Sequence, residues 1–174
     1  MPAVTDTGFV PMRVSKVTAQ SLDGGDHVAF CVVLDEPEGD RRLVVLVGQE
    51  QAVGLAAALT GKEWPRPMTY QFMASLVHAL DGRVREVRLD RVVSGAYAAI
   101  VEVEGPAGVA REVDARCSDA LNLAVLLGAP IFVRPEVLDD CARRMEDDSP
   151  EAAMAHRALT ADPMTFGPAA GMDE

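Results

Sequence analysis

The 174-residue chain has few basic residues relative to acidic ones, and this shortage limits its partners. Lys and Arg number 16 against 27 Asp and Glu, which gives a formal net charge of −11 at pH 7. Proteins that attract DNA or RNA over a wide surface present a basic footprint, so this composition argues against such attraction. Only residues 61–116, where acidic and basic side chains balance, offer a place for a local cationic surface.

Cysteine, histidine and long apolar runs are also scarce. The three cysteines contain no CxxC pair, so neither a disulfide framework nor a zinc knuckle is indicated. The three histidines do not occur at ligand spacing. These residues are Cys31, Cys117, Cys141, His27, His78 and His156. No run of about 18 apolar residues is present to span a bilayer, and the N-terminus lacks a basic region followed by an apolar block. We therefore expect a cytoplasmic protein without a membrane partner.

The chain is nevertheless rich enough in apolar residues, at 49%, to build a core of ordinary size. We expect one α+β domain over residues 12–145. Residues 1–11, which carry two prolines and a glycine, are predicted to be irregular. Residues 146–174 are predicted to form an acidic, partly disordered tail, with a short helix over 150–159 and a mobile end from 162.

Hydrophobic periodicity predicts the same order of elements twice, three meandering strands followed by a helix. The first set is predicted at 12–19, 27–34 and 41–47, with turns at 23–26 and 35–40 and a helix over 51–59. The second is predicted at 84–92, 96–103 and 109–115, with a helix from 118 to Gly128. A helix beginning near Thr69 separates the two sets, and a strand at 131–133 and a helix over 137–145 follow them. This order indicates duplicated β-β-β-α units that form a mostly antiparallel sheet with helices packed against it. Open sheet edges also predict a homo-oligomer.

The most informative stretch is the junction between the last meander strand and its helix, residues 111–133. Glu112, Asp114 and Arg116 share one strand face, because side chains alternate along a strand. Ser118 is placed to cap the following helix, and Asp119 to interact favourably with the positive end of the helix dipole. The carboxylates of Asp114 and Asp119 are therefore predicted to lie close to the guanidinium of Arg116 and the hydroxyl of Ser118.

This junction has two interpretations. Asp114 and Asp119, with Glu112 as a third carboxylate, have the hard oxygen ligands that Mg²⁺ or Mn²⁺ prefers, and Arg116 and Arg66 suit phosphate contacts. Such a site predicts metal-assisted phosphodiester hydrolysis. The alternative is structural: the same carboxylates favour a helix N-terminus and form ion pairs that hold the junction together.

Two phrases in the sequence resemble the bifunctional nuclease family, also called the DNase/RNase domain family. They are the helix-opening Arg66-Pro-Met-Thr69 and the strand-closing Asp114-Ala-Arg-Cys-Ser-Asp-Ala120, followed by Gly128-Ala-Pro-Ile-Phe-Val133. The resemblance covers residues 10–145. It implies a compact α+β domain, often oligomeric, that hydrolyses the phosphodiester bonds of RNA or DNA.

The resemblance sets the candidate site. The expected catalytic residues are Asp114, Asp119, Arg116 and Arg66, with Asp114 and Asp119 as the metal ligands. The expected substrate-binding residues are Thr69, Tyr70 and Ser118.

The chain also departs from the family pattern at three positions: Tyr70 stands where His is usual, Cys117 where Pro is usual, and Gln51 where a Glu is usual. These departures favour a second hypothesis, a catalytically weakened member that acts as a regulatory or protein-binding module. A helix N-terminus can also lower the pKa of a thiol, which makes Cys117 a further candidate nucleophile.

Overall fold

The chain forms a single seven-stranded sheet with five helices in a computed structural model that describes residues 8–21, 28–146 and 150–160. The strands are β1 (Val10–Ser21), β2 (Val28–Asp35), β3 (Arg42–Val47), β4 (Arg83–Val93), β5 (Ala96–Glu104), β6 (Ala110–Arg116) and β7 (Ile131–Val133). The helices are α1 (Gln49–Thr60), α2 (Thr69–Ala79), α3 (Cys117–Leu127), α4 (Pro135–Glu146) and α5 (Pro150–Thr160). The predicted α+β class and the order of the elements are confirmed.

Each predicted meander occupies one half of the sheet. The strand order is β3-β2-β1-β7-β4-β5-β6, so the first strand of each meander lies inside and the third lies at an edge. The short strand β7 separates the two halves. It pairs antiparallel with β1, where Val10 faces Val133, and parallel with β4, where Val87 faces Ile131. The sheet is therefore mostly antiparallel with one parallel pair at its centre.

The main core lies between the sheet and the helices that follow each meander. Ala52, Leu55 and Ala56 of α1 and Leu121 of α3 pack there against buried strand residues such as Leu89. Both helices end at a glycine in the left-handed conformation, Gly61 with φ of 64° and Gly128 with φ of 66°. Glycine adopts this conformation without the steric cost that a Cβ would add, which explains why both helices stop there.

The opposite face of the first meander is covered by α5. Ala158 of this helix packs on Cys31, Val33 and Val44 in a second, smaller apolar cluster. This helix was predicted over residues 150–159 as part of the tail, and the helix itself is confirmed. The predicted turn at 23–26 and the predicted mobile end from residue 162 lie outside the described residues.

The sheet curves so that its two edges border one cavity. Strands β3 and β6 lie at its two edges, yet Val44 and Ala115 line the same cavity of about 530 Å³. This is possible only if the two edges approach each other around that cavity.

Among the helices that the structure describes, none combines the length and the apolar character that crossing a membrane requires.

Two predictions about the ends of elements, an irregular N-terminus through residue 11 and a cap at Ser118, were wrong. Val10 and Pro11 belong to β1 rather than to an irregular N-terminus. Pro11 is tolerated because this end of β1 pairs with β7 alone, the pairing with β2 starting only at Arg13. The second concerns α3, which begins at Cys117 with Arg116 at its N-cap and no side-chain cap, so Ser118 does not cap the helix.

Candidate active site

Three side chains meet where β6 passes into α3. Arg116 donates through Nε to Oδ2 of Asp119 at 2.6 Å and through Nη2 to Oδ1 at 3.0 Å. Tyr70, in the first turn of α2, donates its hydroxyl to Oδ1 of Asp119 at 2.6 Å. The carboxylate is thus held by a two-point guanidinium contact and a phenol from another helix. Such charge-assisted bonds fix the orientation of all three groups.

A buried amide supports this cluster from behind. Asn122, one turn after Ser118 on α3, donates Nδ2 to the carbonyl of Ser118 at 2.9 Å and to the carbonyl of Gln51 on α1 at 3.0 Å. Asn122 is almost fully buried. The side chain therefore ties α1 to α3 directly behind Asp119. Asn122 was not predicted as a site residue, although a single Asn between Leu121 and Leu123 in an apolar helix is a visible signal.

A cavity of about 670 Å³ opens beside the cluster. Its wall includes Tyr70, Arg116, Asp119, Asn122, Gln51 and Trp64. Trp64 is the single tryptophan of the chain, and its ring lies 4.4 Å from the Nζ of Lys62 in a cation–π contact. Trp64 was not predicted as a site residue. An aromatic plane beside an exposed guanidinium is an arrangement able to receive a base and a phosphate.

The pKa values of the cluster follow from its contacts. Burial, with the hydrogen bond to the Asp119 carboxylate, raises the pKa of Tyr70 to about 12, so the phenol stays protonated at neutral pH. Burial alone would raise the pKa of Asp119, but the hydrogen bonds from Arg116 and Tyr70 outweigh it and the pKa is lowered. The bond to Asp119 raises the pKa of Arg116. At neutral pH the cluster therefore contains a carboxylate, a guanidinium and a neutral phenol.

The structure brings Arg116 and Asp119 together but places the other predicted carboxylates elsewhere. Asp114 is 77% exposed and its nearest cation is Arg91, at 3.9 Å. It lines the 530 Å³ cavity, whereas Asp119 lines the cavity of 670 Å³. Glu112 pairs with Arg88. Within the described ranges, no group of three His, Cys, Asp or Glu side chains is placed to hold a metal ion.

The remaining predicted site residues are divided between the two cavities and the surface. Thr69 lines the 670 Å³ cavity beside Tyr70. Ser118 lines the smaller cavity, which it shares with Cys117. Arg66 is exposed and contributes to neither wall. Arg116 contributes to both cavities, so it lies on the ridge between them.

Cys117 is not an activated thiol. It is buried, and burial raises the pKa of its thiol to about 12, with the nearby Asp119 charge adding to the shift. The suggestion that the helix N-terminus lowers this pKa was wrong, because loss of hydration outweighs the helix dipole here.

The fold and this cluster define an α+β domain whose candidate site is a carboxylate–guanidinium pair beside an aromatic-walled cavity. The sequence matches the bifunctional nuclease domain over residues 32–146, and the chain belongs to that family. Its role is therefore nuclease-related. The family resemblance noted in the sequence is confirmed.

Individual relatives are consistent with this assignment. Uncharacterized proteins MT1877 and Rv1829 of Mycobacterium tuberculosis, from strains CDC 1551 / Oshkosh and ATCC 25618 / H37Rv, are each 33% identical over 122 residues. These cover 70% of this chain and 72% of each relative. Bifunctional nuclease 1 of Arabidopsis thaliana is 33% identical over 113 residues, 64% of this chain and 34% of that protein.

Proposed function

We propose that the chain binds a strand of RNA or DNA at the 670 Å³ cavity and hydrolyses its phosphodiester bonds there. One observation supports this most directly: the Arg116 side chain is 72% exposed at the cavity wall while Asp119 fixes its direction. A guanidinium held in this way presents donors in the fork geometry that fits a phosphate. Trp64, on the same cavity wall, offers a plane for a base.

Each residue of the cluster has a separate role in the proposed reaction. Arg116 binds the phosphate and offsets its charge. A water attacks phosphorus and its proton passes to Oδ2 of Asp119, which accepts one hydrogen bond, from Arg116. The bond from phosphorus to the leaving oxygen breaks, and that oxygen takes a proton from solvent. The Tyr70 hydroxyl keeps its hydrogen bond to Oδ1 of Asp119 and so holds the carboxylate in position for the proton transfer from water. Since the pKa of Asp119 is lowered, it is a weak base, and we expect slow turnover.

A divalent metal remains part of the hypothesis, but the residues do not fit a preformed site. Asp114 and Asp119 were predicted to hold Mg²⁺ or Mn²⁺ together. Asp114 instead lines the other cavity, and both oxygens of Asp119 accept hydrogen bonds from Arg116 and Tyr70. We therefore derive no step through a metal, and its contribution is decided by assays with Mg²⁺, with Mn²⁺ and with a chelator.

Cleavage of a labelled single-stranded RNA and DNA tests the proposal. Asp119→Asn is expected to reduce turnover by about 100-fold or more, the usual contribution of a positioned base. Arg116→Ala should weaken binding and turnover together. Arg111→Ala is the matched control, because this exposed arginine lies on the same strand and outside both cavities. Equal activity of Asp119→Asn and the wild type would refute the assignment. Asp114→Ala distinguishes a site that uses Asp119 alone from one that uses both carboxylates. We expect this variant to keep its activity, and a loss of activity would support the paired-carboxylate site.

The second candidate function is a non-catalytic nucleic-acid or protein-binding module. The observation that favours it is that neither Tyr70 nor Asp119 has a pKa shifted toward neutrality. This hypothesis predicts no turnover with any metal. Binding is still measurable, because the fluorescence of the single tryptophan, Trp64, reports directly on the cavity.

A further inference from the structure

Helix α2 presents an apolar stripe to solvent. The stripe consists of Met68, the N-cap residue, and three residues that follow at intervals of four. Their exposed fractions are 53% for Met68, 55% for Phe72, 46% for Leu76 and 72% for Leu80. Large apolar side chains in one continuous row on a helix are typical of an interaction surface, whereas single exposed ones are ordinary.

The opposite side of the helix explains why the stripe is not part of the core. Ala74 is the buried residue of α2, and Tyr70 points from the same side toward Asp119. The stripe therefore faces away from the domain. Ser75 and Ala79, both exposed, lie on the outward side with it, and their small side chains allow a second helix to approach closely.

Charge also distinguishes this helix from the rest of the molecule. No Asp, Glu, Lys or Arg occurs between Pro67 and Leu80, in a chain whose net charge is −11. Two copies of an acidic protein repel each other over most of their surface, but not here. A charge appears at each end of the segment, Arg66 before it and Asp81 after it, and both are exposed.

We propose that the stripe is a homodimer interface in which two α2 helices cross antiparallel about a two-fold axis. A two-fold axis that passes the stripe midway between Phe72 and Leu76 sets Met68 against Leu80 of the second copy and Phe72 against Leu76 of the second copy. The same operation brings Arg66 within one residue of the position opposite Asp81 of the second copy, twice per dimer, so the charged ends are complementary.

The spacing also fits the packing geometry. Residues at intervals of four form the ridge that packs into the equivalent groove of another helix, in the commonest class of crossing, at about −50°. The stripe spans about 18 Å of helix, so the interface is small and the dimer is expected to be of moderate affinity. Met68 belongs both to the stripe and to the wall of the 670 Å³ cavity. Assembly therefore takes place next to the candidate active site.

Analytical ultracentrifugation of the full chain over a concentration series tests the interface. The wild type should approach twice the 18.5 kDa of one chain, and Leu76→Glu should return it to the mass of one chain. Leu59→Glu is the matched control, the same substitution at a leucine of α1 that is 40% exposed, and should leave the dimer intact. Circular dichroism verifies that both variants remain folded.

A charge swap tests the antiparallel arrangement. Arg66→Glu and Asp81→Lys should each raise the dimer dissociation constant by about tenfold, because attraction becomes repulsion, and the double variant should recover most of the loss. Asp81 has a φ of 53°, so strain from Lys is equal in the single and double variants. A wild type that stays monomeric, or a dimer insensitive to Leu76→Glu, would overturn the proposal; failure of the double variant to recover would overturn the antiparallel pairing.

Discussion

The hydroxyl of Tyr70 donates a 2.6 Å hydrogen bond to Oδ1 of Asp119, which joins α2 to α3 across 49 positions of sequence. Tyr70→Phe keeps the ring and removes this bond. Because the acceptor is a charged and partly buried carboxylate, we expect a loss of about 1–2 kcal/mol in the free energy of unfolding. Urea denaturation measures it. In a double-mutant cycle with Asp119→Ala, which removes the acceptor, the two losses should not add, and simple additivity would show that the bond contributes nothing.

The lowered pKa of Asp119 predicts a pH dependence of stability. A carboxyl group whose pKa is lower in the folded than in the unfolded chain stabilises the fold above its unfolded pKa, about 3.9. That stabilisation is lost as the pH falls through the folded pKa. The difference in unfolding free energy between the wild type and Asp119→Asn should therefore be largest near pH 7 and shrink below pH 4. A difference that grows on acidification would contradict the direction of the shift.

Gly54 is required by the close approach of its neighbours. A Cβ at this position in α1 would lie 2.7 Å from Oδ1 of Asn122 and 3.0 Å from Cδ2 of Tyr70. Alanine is more favourable than glycine inside a helix by about 1 kcal/mol. Gly54→Ala would therefore stabilise the protein if the added Cβ met no neighbouring atoms. We expect net destabilisation of about 1–3 kcal/mol, typical of overpacking. Gly105→Ala, where nothing lies within 4 Å of the added Cβ, is the control and should be nearly neutral. A stabilised Gly54→Ala variant would show that the helices can separate easily.

The three thiols should react slowly in the native protein. Cys31, Cys117 and Cys141 are buried, and burial raises the pKa of Cys31 to about 11 and that of Cys117 to about 12. Since the thiolate is the reactive form, iodoacetamide at pH 8 should label none of them quickly. In denaturant, mass spectrometry should find all three modified. Fast labelling of one thiol in the folded chain would reveal local opening around it.

Much of the fold was predictable because local patterns determine it. Alternation marked the strands, four-residue spacing marked the helices, and Gly61 and Gly128 marked helix ends. The position of β7 was not predictable. The sequence of a three-residue apolar strand does not indicate which strands it pairs with. Its place between β1 and β4 is set by the packing of the whole sheet.

The candidate site was predicted only in part, for a geometric reason. Asp114 and Asp119 are five positions apart, but the strand ends and the helix begins between them. The change of period turns the two carboxylates toward different cavities, an outcome that sequence distance does not reveal. Tyr70 was chosen as a site residue from the family pattern, but its contact with Asp119 could be identified only from the structure.

The central place of β7 has a consequence for how the protein is made. The strands of each meander are close in sequence and can pair as they leave the ribosome. The pairing of Val10 with Val133 forms only after β7 has been synthesised, so the two halves of the sheet join last. Until then the inner edges of β1 and β4 are open to wrong partners. We expect nascent chains that stop short of residue 131 to need chaperone protection, and folding to finish only after that last short segment docks.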